Sequence, residues 1–335
     1  MEGHRAGFGS DRGVNILLSR AAADALREEV ARVLEGVPYR LCTPEDGVDA
    51  DIAFVSRDVT GLSTKHDILP ATQRFYDALA RSQRLRWVHV HSAGADRDIY
   101  VQLRERGVQL TTSSGANALI VAQTALAGVL ALARHFPRLW QAQRERRWAS
   151  LMGDTLPRDL EGQHAVVVGW GPIGQELARL LQAVGLRVTI VRHQDKPAGG
   201  LATVTTARWQ DVLPSADWLL LACPLNAGTR GLVDAAALAR LPAHAHFVNV
   251  ARGEIVDEPA LIAALQQGRL AGAYLDVFTH EPLPADSPLW TMPHVIVTPH
   301  SAGPSAGNPA RQARMFLDNL RRWRAGEPLR NLASD

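Results

Sequence analysis

His164-Ala165-Val166-Val167-Val168-Gly169-Trp170-Gly171-Pro172-Ile173-Gly174 is the stretch whose reading decides the fold. Residues 165–168 form an apolar run, which suits a strand of a parallel sheet covered on both faces. The next six residues match G-x-G-x-x-G, a weak pattern alone. Here a strand precedes it and a helix, expected over 173–184 with Gly185 as its stop, follows it. Each glycine then has a physical task. Gly169 permits the tight turn, Gly171 lets the backbone approach a pyrophosphate, and Gly174 lets helix pack on strand. Pro172 and Ile173 open the helix, whose first N–H groups and partial positive charge face the phosphates. The cofactor implied is a dinucleotide, and the alternative is a plain strand-to-helix turn.

Working outward, strands are expected at 186–191, 218–222, 247–250, 273–277 and 295–298, with helices or turns between them. This β-α alternation implies a doubly wound parallel sheet. Upstream, strands at 14–18, 52–55, 85–90 and 108–111 and a helix at 21–34 describe a second α/β region. An apolar helix is expected from Asn117 to His135, ahead of Pro137. Residues 141–158, rich in Arg and Trp, read as a surface connector. A last amphipathic helix spans 310–324, and residues 1–13, polar and glycine-rich, read as a disordered lead-in.

The second strand after the glycine turn ends in Arg192. In an NAD site an acidic residue about 20 positions past the glycines hydrogen-bonds the ribose 2′-OH. Arginine there can instead fork two hydrogen bonds onto a 2′-phosphate. NADP(H) is therefore favoured, with NAD(H) possible if Asp195 reaches the ribose; a solvated surface arginine is the remaining reading.

Bulk properties narrow the function. The 335 residues suggest two domains, and a formal net charge of +2 leaves no broad basic footprint for nucleic acid. Lys65 and Lys196 are the only lysines, and neither sits in an apolar stretch suited to Schiff-base chemistry. Cys42 and Cys223 follow no metal or redox spacing, which points to a reducing cytoplasm. No apolar stretch reaches the roughly 20 residues that span a bilayer, so no membrane partner is expected. His89 with His91, and His244 with His246, alternate on strands, but no third ligand completes a metal site. No metal is expected.

Three segments fall at the carboxyl ends of expected strands, where open α/β sheets bind ligands. They are Asn249-Val250-Ala251-Arg252-Gly253, then Asp276-Val277-Phe278 with Glu281-Pro282-Leu283, and Thr298-Pro299-His300. Together with Gly169–Gly174, Ser92-Ala93-Gly94-Ala95-Asp96 and Cys223-Pro224-Leu225-Asn226, these resemble the D-isomer-specific 2-hydroxyacid dehydrogenase family over nearly the whole chain. Arg192 and Trp290 look most similar to its NADPH-dependent glyoxylate/hydroxypyruvate reductases.

The resemblance implies an oxidoreductase moving hydride between NADP(H) and a small 2-oxo acid, such as glyoxylate or hydroxypyruvate. It places Arg252, Glu281 and His300 in catalysis. Arg252 would hold the carboxylate and polarise the carbonyl; His300 would give or take the proton; Glu281 would orient the imidazole and favour its charged form. Ala93 and Gly94 would offer an anion nest, or only a tight turn. Asn117 would contact the substrate or cap its helix. Asp276 would face the nicotinamide carboxamide or cap a loop. Cys223, Pro224, Val250, Ala251, His300, Ser301, Ala302 and Gly303 would line the cofactor, with Thr229 hydrogen-bonding nearby.

The family further implies a Rossmann-type cofactor domain over 115–303 and a flavodoxin-like substrate domain over 14–114 and 304–335. It also implies a homodimer, with 118–136 and 137–158 as candidate contacts. Gln123 departs from the Glu common in the family. Another D-2-hydroxy acid used with NAD(H), and a non-catalytic dinucleotide sensor on the same fold, are the rival readings.

Overall fold

The computed structural model describes residues 13–64 and 66–333, so the expectation for 1–13 falls outside it save for Gly13. The chain divides into two units, one of residues 1–116 with 305–335 and one of 117–304.

The first unit carries a five-stranded sheet of β1 (Val14–Leu17), β2 (Tyr39–Cys42), β3 (Ile52–Val55), β4 (Trp87–Val90) and β5 (Gln109–Thr112), ordered β2-β1-β3-β4-β5. All neighbours run parallel. This is the flavodoxin-like order. β3 and β4 are buried along their whole length, because helices cover both faces. The helix Asn308–Ala325 returns to one of them. Its Phe316 stacks on Phe54 and Trp87, at centroid distances of 4.8 and 5.5 Å. The helix begins two residues before the expected 310, since Pro309 fits its first turn, where the missing N–H has no partner to lose. β2 escapes the sequence reading: as an edge strand it exposes Arg40 and only half-buries Tyr39 and Leu41, so it lacks an apolar run.

The second unit carries a seven-stranded sheet of β6 (His164–Val168), β7 (Arg187–Arg192), β8 (Ala202–Thr205), β9 (Trp218–Leu221), β10 (His246–Asn249), β11 (Gly272–Leu275) and β12 (Val295–Val297). Their order is β12-β11-β10-β9-β6-β7-β8, again with every pair parallel. Strand order reverses at β6, between β7 and β9. That is the doubly wound Rossmann arrangement with one added edge strand, and it puts the glycine turn at the switch point where such sheets bind ligands. β8 is the other strand the sequence hides, an edge strand with no fully buried residue.

The apolar segment after Asn117 departs from expectation. The helix Ala118–Ala133 ends, His135 takes a left-handed conformation (φ 54°), and a second helix, Phe136–Arg144, leaves at 71° with Pro137 in its first turn. Pro137 thus opens a helix instead of following one, and the expected connector begins inside it. Among the described residues no single helix is long and apolar enough to cross a membrane. Helix Ala118–Ala133 packs on β11 at Gly128, where a β-carbon would lie 2.5 Å from the Tyr274 ring.

Candidate active site

The glycine turn is built by close approach. Gly169 has φ 114°, and a β-carbon there would sit 2.7 Å from the Ala222 carbonyl. One on Gly174 would sit 2.2 Å from the Gly169 oxygen. Both positions therefore exclude any side chain. Gly171 differs: it caps the helix Pro172–Ala183, and a β-carbon there would meet nothing within 4 Å. The backbone at Gly171 is thus open on that side, as close approach of an anionic group requires. Cys223 is buried behind this turn, and burial pushes its thiol up to about 12. Thr229 is spent inside its own loop: its hydroxyl donates to the Pro224 oxygen at 2.7 Å and accepts from the Asn226 N–H at 2.9 Å.

Arg192 is the last residue of β7. Its Nη1 leans on the carbonyls of Lys196 and Pro197 at 3.4 and 3.3 Å, while its Nε is buried without a hydrogen-bond partner. No carboxylate lies within ion-pair distance of it among the described residues. A charged group with a buried, orphaned donor suits an anionic ligand. Together the cleared cradle and this guanidinium fit a dinucleotide.

The three strand-end loops are tied together by buried polar groups. Asn249, at the end of β10, is 1 % exposed; its amide accepts from Ala251 N–H at 3.0 Å and donates to the Arg252 oxygen at 3.0 Å. Val250 and Ala251 are buried beside it. Gly253 then passes so close to Phe278 that a β-carbon would fall 1.8 Å from its carbonyl carbon. That contact locks the Arg252 loop onto the Glu281 loop, and Arg252 stands half-buried between fixed ends.

His300 meets Glu281: Nδ1 lies 2.7 Å from Oε2. Oε1 accepts the Phe278 N–H at 3.1 Å. Burial pushes the Glu281 carboxyl up, but the His300 hydrogen bond and charge, the Phe278 N–H and the charge of Arg252 outweigh it and hold it below the usual glutamate range. An ionised carboxylate only accepts, so Nδ1 carries the proton. Nε2, with no hydrogen-bond partner among the described residues, is left as the nitrogen that exchanges one.

A depressed carboxylate stabilises the fold above its unfolded pKa, near 4.3, and loses that contribution as pH falls through the folded value. The stability gap between the native chain and Glu281→Gln should therefore be full at neutral pH and close in acid. Denaturant titrations from pH 7 to 3 check this; a constant gap would refute the charged pair.

His300 itself sits at φ 49°, a left-handed conformation costly for a side-chain-bearing residue. Asp276, 1 % exposed, holds it there. The Asp276 carbonyl accepts the His300 N–H at 2.8 Å. Its carboxylate accepts Ser301 N–H at 2.7 Å, Ala302 N–H at 2.9 Å and the Thr298 hydroxyl at 2.6 Å. Burial raises this carboxyl, and those hydrogen bonds only partly offset it. Asp276 thus caps the loop that carries His300. Behind it, Thr298 bonds the Tyr274 hydroxyl at 2.9 Å. The Thr-Pro-His spacing is visible in sequence, but the tether from Tyr274 through Thr298 to Asp276 appears only in the fold. Thr124 adds a bond to the Ala302 oxygen at 3.1 Å.

Asn117 stands at the N-cap position yet makes no side-chain capping bond. Its amide nitrogen instead fills the space a β-carbon on Gly303 would take, 2.6 Å away. Gln123 is exposed. Trp290, 48 % exposed, donates its indole N–H to the Pro284 oxygen.

In the first unit, Ser92 donates its hydroxyl to the Gly94 oxygen at 2.7 Å, which shapes the 92–94 turn. The Ala93 and Gly94 N–H groups donate to nothing among the described residues. The alternating histidines each have a local partner: His89 bonds Thr111 and Ser113, His91 bonds Thr60, His244 pairs with Asp217, and His246 stacks on Trp218. Among the described residues no group of three or more His, Cys, Asp or Glu gathers as metal ligands.

Comparison with known proteins agrees with this architecture. Residues 126–302 match the family model described as D-isomer specific 2-hydroxyacid dehydrogenase, NAD binding domain. The chain is 36 % identical to (S)-sulfolactate dehydrogenase of Chromohalobacter salexigens over 73 % of its length and 80 % of the relative's. It is 33 % identical to glyoxylate/hydroxypyruvate reductase B of Citrobacter koseri, over 72 % and 76 %. The crystal structure of a D-isomer specific 2-hydroxyacid dehydrogenase from Xanthobacter autotrophicus Py2, in complex with NADPH and MES, superposes with a TM-score of 0.76 at 31 % identity, covering 96 % of this chain and 98 % of that one. With a Rossmann-ordered sheet, a glycine cradle at its switch point and a histidine–glutamate pair at its edge, the chain belongs to the D-isomer-specific 2-hydroxyacid dehydrogenase family, NAD(P)-dependent enzymes acting on CH–OH groups.

Proposed function

We propose that this enzyme reduces a small 2-oxo acid, of the size of glyoxylate or hydroxypyruvate, using NADP(H). The observation that carries the reading is the 2.7 Å contact of His300 with Glu281, which leaves Nε2 as the proton-exchanging atom. When bound, NADP(H) supplies or accepts hydride. Gly169, Gly171, Pro172, Ile173 and Gly174 would hold its pyrophosphate, Arg192 its 2′-phosphate, and the 223–224, 250–251 and 301–303 backbones its remaining length. His300 donates a proton from Nε2 to the carbonyl oxygen during reduction and takes it back in oxidation. Glu281 stabilises the imidazolium. Arg252 binds the substrate carboxylate and draws charge onto the carbonyl oxygen. Ala93 and Gly94 would offer their N–H groups to a substrate carboxylate, so the first unit is read as the substrate domain and the second as the cofactor domain. The buried free thiols of Cys42 and Cys223 support a reducing cytoplasm.

Monitoring NADPH oxidation across a panel of 2-oxo acids, with NADH in parallel, tests this reading. Turnover of glyoxylate or hydroxypyruvate is expected. No turnover of any 2-oxo acid with tight NADP(H) binding retained would favour the sensor.

We further propose a homodimer through helix Phe136–Arg144 and the segment after it. Trp148, Met152 and Leu156 are 96, 73 and 64 % exposed there, and a run of large exposed apolar side chains marks an interface. Light scattering should give twice the 36.4 kDa chain mass, and Trp148→Glu should shift it toward one; a native monomer would refute the dimer.

A further inference from the structure

Tyr274 stands on β11, two residues before Asp276, and extended chain sends both side chains to one face. Thr298, one residue past β12, bonds them both. The tyrosine is 2 % exposed. Its ring is admitted by Gly128 of helix Ala118–Ala133, where a β-carbon would lie 2.5 Å from it. The helix thus gives up a side chain, and a phenol reaches through the core to the loop that carries His300.

The hydrogens in this chain have one consistent arrangement. The Asp276 carboxylate accepts the Thr298 hydroxyl at 2.6 Å. That hydroxyl has a single hydrogen, so toward Tyr274, 2.9 Å away, it accepts. The bonds therefore run from Tyr274 to Thr298 to Asp276, and each donor strengthens the next. Reversed, a protonated Asp276 would donate to Thr298, and the Tyr274 hydroxyl hydrogen would have no acceptor among the described residues. A buried donor left unmet is costly. Tyr274 does not escape by ionising, since burial pushes its hydroxyl up to about 12. The tyrosine makes the chain run one way, and that way favours a charged Asp276.

Burial works against this charge. His300 faces Asp276 from the loop after β12, and its charge favours the carboxylate. β10 presents the Asn249 carbonyl, which accepts the Asp276 N–H at 3.0 Å. Helix Ala118–Ala133 carries no ionisable residue. The Tyr274 chain is the support that reaches the carboxylate from inside the core.

We propose that Tyr274 is a positioning residue for the reaction: through Thr298 it keeps Asp276 a carboxylate, and that carboxylate holds the His300 loop in its left-handed geometry. It rests on the reading above that His300 exchanges the proton.

The test follows kcat for hydroxypyruvate reduction with NADPH from pH 4.5 to 9, in the native chain, Tyr274→Phe, Thr298→Val and the double variant. Phenylalanine keeps the ring against Gly128 and removes only the hydroxyl. A neutral Asp276 is then better tolerated, so the acid limb of the profile should move up by about half to one pH unit, the equivalent of one net hydrogen bond. The alkaline limb should hold its place. Thr298→Val should move the acid limb at least as far, and adding Tyr274→Phe should move it no further, because the chain is already cut. An acid limb unmoved by Tyr274→Phe, or moved equally again in the Thr298→Val background, would overturn the role. A uniform loss of kcat at every pH would reduce the hydroxyl to packing and overturn it too. Failure of the parent reading looks different: no 2-oxo acid turns over, or His300→Asn keeps native kcat. The chain is then read from amide hydrogen exchange of residues 300–302 over the same pH range. Their protection should be lost at higher pH in Tyr274→Phe than in the native chain, and coincident profiles would overturn the proposal.

Discussion

His300→Ala is expected to lower kcat by about 10²–10⁴-fold, the usual worth of positioned general acid–base catalysis, with KM changed far less. The loss falls on kcat because Nε2 acts on the carbonyl oxygen only as charge develops there; the substrate carboxylate is bound by other groups. Alanine is a poor occupant of φ 49°, so part of any defect could come from a displaced loop. His300→Asn separates the two effects, since asparagine tolerates the left-handed region and keeps the tether to Asp276 but cannot exchange a proton. Both variants should lose turnover to a similar degree and retain cofactor binding by fluorescence titration. Near-normal kcat in either would remove His300 from the chemistry.

That experiment bears on residues the sequence made visible. The glycine turn could be read because each glycine answers a local steric demand: Gly169 and Gly174 face backbone atoms closer than any β-carbon tolerates. The histidine–glutamate pair was legible through resemblance, since 19 residues separate its members and nothing local joins them. What stayed hidden depends on contacts distant in sequence. β2 and β8 are edge strands with half-exposed faces, so their hydrophobic signal is faint. The turn at His135 needs a left-handed residue that no glycine advertised. Asp276 allowed two readings, because only the folded loop shows both oxygens committed to Thr298, Ser301 and Ala302. Asn117 occupies a capping position without capping, since Gly303 vacates the volume its amide fills.

Arg192→Ser should reduce kcat/KM for NADPH by about ten- to a hundredfold, the equivalent of one charge-assisted hydrogen-bond pair worth roughly 1.5–3 kcal/mol. NADH should lose far less, because it lacks the 2′-phosphate that the guanidinium would meet. A surface arginine with a structural role would be expected to hold a carboxylate or a well-formed carbonyl contact. This one has two long carbonyl contacts of 3.3 and 3.4 Å, and a buried Nε that no protein group satisfies. Leaving a buried donor unmet costs about 1–3 kcal/mol, a cost that a phosphate oxygen would remove. Arg192→Asp goes further, placing at the end of β7 the acidic residue that a ribose 2′-OH prefers and a phosphate repels. It should reverse the preference, and the ratio of the two specificity constants measures it directly. Asp195, exposed three residues beyond, is the group that could undo this logic by reaching the ribose itself. The native ratio decides between them: preference for NADPH that collapses in Arg192→Ser assigns the phosphate to Arg192, whereas native preference for NADH, lost in Asp195→Ala, assigns the ribose to Asp195.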